Sequence, residues 1–85
     1  MELKDTATLM TSKDFKDRFV AEYMQLATRI DGLARMLDNM DAGTLMFEPK
    51  TPHKVLLAQL YHMEEYADTL RERSVYEGIE LPTDV

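Results

Sequence analysis

Apolar residues recur along this chain at alternating intervals of four and three positions. The first run is Phe19, Tyr23, Leu26, Ile30, Leu33, Leu37 and Met40, and a second run with the same spacing is Leu56, Leu60, Met63, Ala67, Leu70 and Ser74. This heptad spacing is typical of a long helix with one side buried against another helix. The pattern therefore predicts two helices that pack along their length.

Local signals set the limits of the first helix. Thr11 is the predicted N-cap and Asp14 the reciprocal acid of a capping box, so the helix should run from about 12 to 41. Gly43 is a suitable left-handed stop. Gly32 lies inside the helix beside the heptad positions, which indicates either a close helix contact or simple tolerance of glycine.

The second helix has equally clear ends. Thr51 and Pro52 form an N-cap and first-turn proline pair, so the helix should run from about 52 to 77. Gly78 is the predicted left-handed stop, with Ile79 folding back on the last turn as in a Schellman motif.

The short connector at 42–51 requires the two helices to be antiparallel. A register that pairs Phe19 with Ser74, Tyr23 with Leu70 and Leu26 with Ala67 sets a large residue against a small one at the first and the third of these layers. The predicted fold is all-α, an antiparallel, coiled-coil-like two-helix hairpin. The predicted divisions are a tail or docking arm at 1–10, the hairpin domain at 11–81, and a C-terminal tail at 82–85.

Apolar residues also extend beyond the predicted helix contact, and a two-helix unit cannot bury all of them. A homo-oligomer is therefore expected, with a dimeric four-helix bundle as the simplest closed form. The alternative is a monomer in which the N-terminal arm covers the surplus. The flanking residues are Phe15, Val20, Ala27, Ala34 and Met36 on the first helix, and Val55, Leu57, Tyr61 and Tyr66 on the second.

The connector contains three consecutive apolar residues, Leu45, Met46 and Phe47, where loops are usually polar. The favoured interpretation is that they plug the end of the helix pair. The alternative is a contact with another subunit.

Composition narrows the function classes. The 85-residue chain has a formal net charge of −6 and no cysteine. An acidic chain disfavours nonspecific nucleic-acid binding, and its acidic residues are too dispersed for a compact DNA-mimicking stripe. No segment has the length of a membrane span or the order of a signal peptide, so the expected location is the cytoplasm.

No pattern in the chain favours catalysis. His53 and His62 are nine residues apart, which places them on opposite faces of a helix, so they cannot share a metal ion. Glu64 and Glu65 are adjacent and point in different directions, and the chain has no glycine-rich phosphate loop. We therefore expect no enzyme activity, no metal and no cofactor.

One cluster of residues could bind a ligand. The predicted register gathers basic and aromatic residues at the open end of the hairpin, and arginine forks beside aromatic rings suit an anionic, nucleotide-like ligand. The simpler interpretation is a solvated face that complements the helix dipole. The candidate ligand-binding residues are Lys16, Arg18, Tyr23, Arg71, Arg73 and Tyr76.

A wider set of helix residues resembles a known family over about residues 13–81. The set is Glu22-Tyr23-x-Gln25-Leu26-x-x-Arg29 with Leu33 and Met36, then Gln59-Leu60-x-x-Met63-x-x-Tyr66-x-x-x-Leu70-x-x-Arg73 and Gly78-Ile79-x-Leu81. It is similar to the crAss-phage-related short helical proteins of phages and prophages. The resemblance implies a phage origin and an intracellular accessory role, without enzyme chemistry.

The general architecture is also similar to phage helical-hairpin sponges, which sequester nucleotide immune signals in pockets between subunits. This similarity favours a non-catalytic counter-defence protein that binds a small nucleotide signal. Two alternatives stay open: a protein-binding inhibitor or adaptor of a host defence nuclease or other host protein, and a structural coiled-coil assembly protein.

Overall fold

The computed structural model describes residues 7–82, apart from the side chain of Leu9, and contains three helices. They are α1 (Ala7–Met10), α2 (Phe15–Ala42) and α3 (His53–Glu77). The long helices α2 and α3 pack against each other as a hairpin, and α1 packs against α2. The predicted all-α hairpin is thus confirmed for the single chain. Residues 1–6 of the tail predicted at 1–10, and residues 83–85 of the tail predicted at 82–85, lie outside the described residues.

The start of α2 differs from the prediction. Asp14, not Thr11, is the N-cap: its backbone is extended and its Oδ1 accepts a hydrogen bond from the backbone N–H of Lys16 at 2.9 Å. The hydroxyl of Thr11 instead donates to carbonyl groups of α1. Asp14 is the N-cap because a polar turn separates α1 from α2. In this turn the Ser12 hydroxyl accepts a hydrogen bond from the Asp14 N–H and donates one to the Asp17 carboxylate.

The two glycine stops were predicted correctly. Gly43 and Gly78 have φ of 72° and 67°, in the left-handed region that glycine adopts without steric cost. Each forms a Schellman motif: Gly78 donates to the Val75 carbonyl at 3.3 Å, and Ile79 donates to the Ser74 carbonyl at 2.9 Å. Ile79 is then folded back into the core with 9% of its surface exposed.

The start of α3 is shifted by one residue from the predicted capping pair. Pro52 is the N-cap, with extended backbone angles and no side-chain capping bond, and His53 is the first helical residue. The Pro52 carbonyl accepts from the N–H groups of Val55 and Leu56. Thr51 therefore does not cap the helix as expected, because the chain enters the helix at the proline itself.

The core lies at the open end of the hairpin and follows the predicted register. Tyr23 contacts Arg71, and Phe19 lies beneath Arg73. Each observed contact is one residue from the expected partner, which was Leu70 for Tyr23 and Ser74 for Phe19. The buried cluster consists of Phe19, Tyr23, Leu26, Ala67, Leu70 and Ile79, with Ile30 and Met63 packed against it.

A second face of α2 is also buried, and it lies on the side of the helix away from α3. Ala21 is fully buried and Met24 is 5% exposed. Ala21 is rotated about 200° around the helix from Phe19, so it points away from α3. Among the described elements, α1 contacts α2 and not α3. Within the segment predicted as a tail or arm, the described residues 7–10 therefore pack on α2.

Candidate functional site

Arg71 and Tyr23 form the best-defined part of the predicted ligand site. The Arg71 Nε donates to the Tyr23 hydroxyl at 3.1 Å, and its guanidinium carbon lies 5.5 Å from the ring centroid. The same guanidinium also bonds the carboxylate of Asp68, one turn earlier on α3. Arg71 is thus held in place between a buried aromatic residue and an exposed acid.

Arg73 occupies a separate position. Its guanidinium lies over the ring of Phe19 at 5.0 Å, and that ring is tilted against Phe15 with centroids 6.1 Å apart. Residues two apart on a helix are rotated by about 200°, so Arg71 and Arg73 leave α3 on opposite sides of the hairpin. The predicted cluster is therefore divided into an Arg71–Tyr23 site and an Arg73–Phe19 site.

The remaining predicted residues lie at the same end of the hairpin. Arg18 donates to the Ser12 carbonyl at 2.8 Å, which ties it to the turn before α2. Lys16 is exposed in the first turn of α2. Tyr76 is 83% exposed in the last turn of α3. These three side chains are accessible to a ligand at the open end of the hairpin.

A shallow groove adjoins the Arg71–Tyr23 site. It has a volume of about 330 Å³ and is lined by Ile30, Glu64, Ala67, Asp68 and Arg71. Sequence reasoning did not assign Glu64 and Asp68 to this site, although the three-residue spacing of Asp68 and Arg71 is a usual signal for a helical ion pair. An anionic ligand at Arg71 would lie beside the Asp68 carboxylate and would compete with it for the guanidinium.

A larger apolar groove, here called the α3 outer groove, lies on the other flank of α3. Its volume is about 530 Å³, and two of its apolar residues, Val55 and Tyr66, are 48% and 45% exposed. Both residues belong to the surplus apolar surface that the sequence predicted. The groove is lined by Val55, Ala58, Gln59, His62, Met63 and Tyr66.

The connector does not plug the helix pair as expected. Leu45 is half-buried, but Met46 is 96% exposed and Phe47 is 59% exposed. The end of the hairpin is instead spanned by His53, whose Nε2 lies 3.1 Å from the Asp41 carboxylate. The apolar tip at Met46 and Phe47 is consequently free to contact another chain.

The pKa of Tyr61 is shifted by a neighbouring acid. A hydrogen bond to Glu65 raises the pKa of Tyr61, and the negative charge of the same carboxylate raises that pKa further. Within 7–82, the structure groups no three His, Asp or Glu side chains that could hold a metal ion. In the same part of the chain, no helix is both long and apolar enough to cross a membrane.

The described residues form a helical hairpin with an exposed groove on each flank of α3. The model of a protein family described as Sequestin matches residues 13–76. This match includes all of α2 and nearly all of α3, so the chain belongs to the Sequestin family. No curated protein and no solved structure matches the chain.

The family's name indicates binding and sequestration rather than catalysis. It agrees with the class of function that the sequence suggested. A relation to the crAss-phage-related proteins stays a prediction.

Proposed function

We propose that this protein is a non-catalytic phage accessory protein that sequesters a small anionic nucleotide-type immune signal between the subunits of a homo-oligomer. Membership of the Sequestin family is the observation that carries the proposal, because the family's name denotes sequestration. Its site of action would be the cytoplasm of the host cell.

The chemistry at the open end supports a nucleotide-type ligand. Arg71 beside Tyr23 and Arg73 above Phe19 each combine a guanidinium with an aromatic ring. A guanidinium fork matches a phosphate group, and an aromatic ring can stack on a base once its cation moves to the phosphate. The whole chain carries a net charge of −6, which repels anions. The positive charge of Arg71 and Arg73 would therefore have to attract the ligand locally.

An intersubunit position is favoured by the exposure of these groups. Arg71 and Arg73 are both exposed in the single chain, and an exposed ion pair contributes little because water and salt screen it. A second subunit that covers either site would exclude water and strengthen each charged hydrogen bond.

Ligand-dependent melting tests the proposal. Cyclic dinucleotides and ADP-ribose derivatives would be the probes. A ligand at a hundred times its Kd stabilises the native state by about 2.7 kcal/mol. For a domain of this size that shift corresponds to about 10–20 °C in Tm. An unchanged Tm with every probe at large excess would contradict the proposal.

Matched variants locate the site. Arg71→Gln and Arg73→Gln should each reduce the ligand-induced shift in Tm if that arginine contacts the ligand. Arg35→Gln is the control, because Arg35 is exposed and pairs with Asp31 within α2. Ligand shifts equal to that of the wild type in all three variants would mean that neither Arg71 nor Arg73 contacts the ligand.

Native mass spectrometry of protein purified from bacterial cells supplies an independent test. A retained small mass in simple ratio to the subunits would support sequestration and identify the class of ligand. Subunits without any retained mass would favour the second candidate function described next.

The second candidate is a protein-binding inhibitor or adaptor, favoured by the exposure of Met46 and Phe47 at the connector tip. A host protein held through this tip should be captured by the wild type and lost with a Met46→Ser/Phe47→Ser double variant. Capture that is unaffected by the double variant would rule out the tip as its binding surface.

A further inference from the structure

We infer that a second copy of this chain packs on the α3 outer groove, with the two α3 helices antiparallel. In this arrangement the connector of each chain covers the Arg73–Phe19 site of the other. The inference deepens the proposed function, on which it rests, by naming the surface that joins the subunits and the site that the partner completes.

The residues of the groove are complementary to themselves. A two-fold interface requires that if residue i contacts the partner's residue j, then j contacts the partner's i. With the two-fold axis between Gln59 and His62, each layer of the groove combines a smaller side chain with a larger one, or two hydrogen-bonding groups. The layers are Val55 with the partner's Tyr66 and Gln59 with the partner's His62, and Ala58 and Met63 form the two edges of the groove.

The charges beside the groove match the same arrangement. Lys54 and Glu65 are both exposed and lie near opposite ends of the groove, eleven residues apart, so they cannot reach each other within one helix. In the antiparallel pair, Lys54 lies near the partner's Glu65. Symmetry repeats this contact, so the interface contains the ion pair twice.

Helix α2 offers a suitable surface beside the groove. The hairpin register places Gly32 and Leu33 next to the middle of α3. Gly32 is rotated about 200° from Ile30, which lines the other groove, so Gly32 lies on the flank of α2 away from that groove. No atom lies within 4 Å of the position that a Gly32 Cβ would take. The missing side chain lets the partner's α2 approach closely at the two-fold axis.

The same symmetry places the connector of each chain at the open end of the partner's hairpin. The Met46–Phe47 tip of one chain lies beside Phe15 and Arg73 of the other. Met46, Phe47 and Phe15 are 96%, 59% and 45% exposed in the single chain. This contact buries all three, and it makes the partner's connector one wall of the Arg73–Phe19 site. The site is therefore incomplete in a single subunit.

Two neighbouring substitutions test the surface without ligand. Ala58 lies in the groove, whereas Leu57 is 51% exposed on the other side of the same helix turn. Ala58→Glu places two unpaired carboxylates in the interface and should weaken dimerisation by about a hundredfold or more. Leu57→Glu introduces the same charge outside the interface and should leave the dimer intact.

The readout is molar mass by light scattering and native mass spectrometry over a range of protein concentrations, with helical circular dichroism to confirm folding. A wild-type monomer throughout that range would overturn the inference. A dimer equally sensitive to both substitutions, or sensitive to Leu57→Glu alone, would also overturn it.

A charge exchange tests the antiparallel register. Lys54→Glu places like charges opposite each other twice, as does Glu65→Lys, and each should weaken the dimer about fivefold at low salt. The double variant Lys54→Glu/Glu65→Lys restores both ion pairs with reversed polarity and should recover the wild-type affinity. Additive weakening in the double variant would overturn the register.

These outcomes are separable from the outcome for the proposed function. A dimer that is sensitive to Ala58→Glu but binds no nucleotide would support the interface and contradict sequestration. Nucleotide binding to a monomer, or undiminished binding to Ala58→Glu, would support a ligand function and overturn the completed intersubunit site.

Discussion

Substitution of Leu70 by alanine gives the most direct test of the hairpin core. Leu70 is fully buried among Phe19, Tyr23, Ala67 and Ile79. The substitution removes three carbon atoms, worth about 2.5 kcal/mol of transfer free energy at about 0.8 kcal/mol each. A residual cavity raises the expected loss of stability to about 3–5 kcal/mol.

Leu57→Ala is the matched control, because the same atoms are removed from the same helix. Leu57 is 51% exposed, so only about half of the transfer term applies and no cavity forms. The expected loss is about 1 kcal/mol or less. The contrast between the two variants therefore measures burial, while the change in helix propensity is the same in both.

The assay is thermal and urea unfolding followed by helical circular dichroism, at one protein concentration for all variants. A loss of 3 kcal/mol should lower the Tm by at least about 12 °C in a domain of this size. Equal losses for the two variants, or a loss below about 1 kcal/mol for Leu70→Ala, would refute the packing described for the open end.

Three further predictions follow from local geometry. Gly78→Ala forces a β-carbon into the left-handed region and should lower stability by about 1 kcal/mol, whereas Gly78→Asn should retain most of it, as measured by urea unfolding. Asp14→Ala removes the N-cap of α2 and should cost about 1 kcal/mol in the same assay, and Asp14→Ser should restore most of the loss; no effect would contradict the assigned cap. Glu65→Gln weakens the hydrogen bond and removes the negative charge that together raise the pKa of Tyr61, so phenolate absorbance should develop at lower pH than in the wild type, and an unchanged titration would contradict the contact.

The arrangement of the candidate binding residues was only partly predictable from the sequence. Arginine and aromatic residues at one end of the hairpin follow from helix direction and register, and Tyr23 does contact Arg71. The heptad pattern did not separate Arg71 from Arg73, but residues two apart on a helix differ by about 200°, which places the two arginines on different sides. The ion pair between Asp68 and Arg71 depends on the rotamer that Arg71 adopts. Heptad spacing does not specify that rotamer.

Spacing alone determined the helical hairpin, because a heptad pattern has one low-energy solution, the burial of its apolar seam against another helix. The left-handed stops at Gly43 and Gly78 were equally local, since only glycine takes that backbone region without cost. Tertiary structure decided the features that depend on competition between groups. A polar turn around Ser12 moved the cap of α2 to Asp14, α1 docked on the back of α2, and the Met46–Phe47 tip was left exposed. Each outcome depends on which of several available contacts forms in space, and residue order does not rank those contacts.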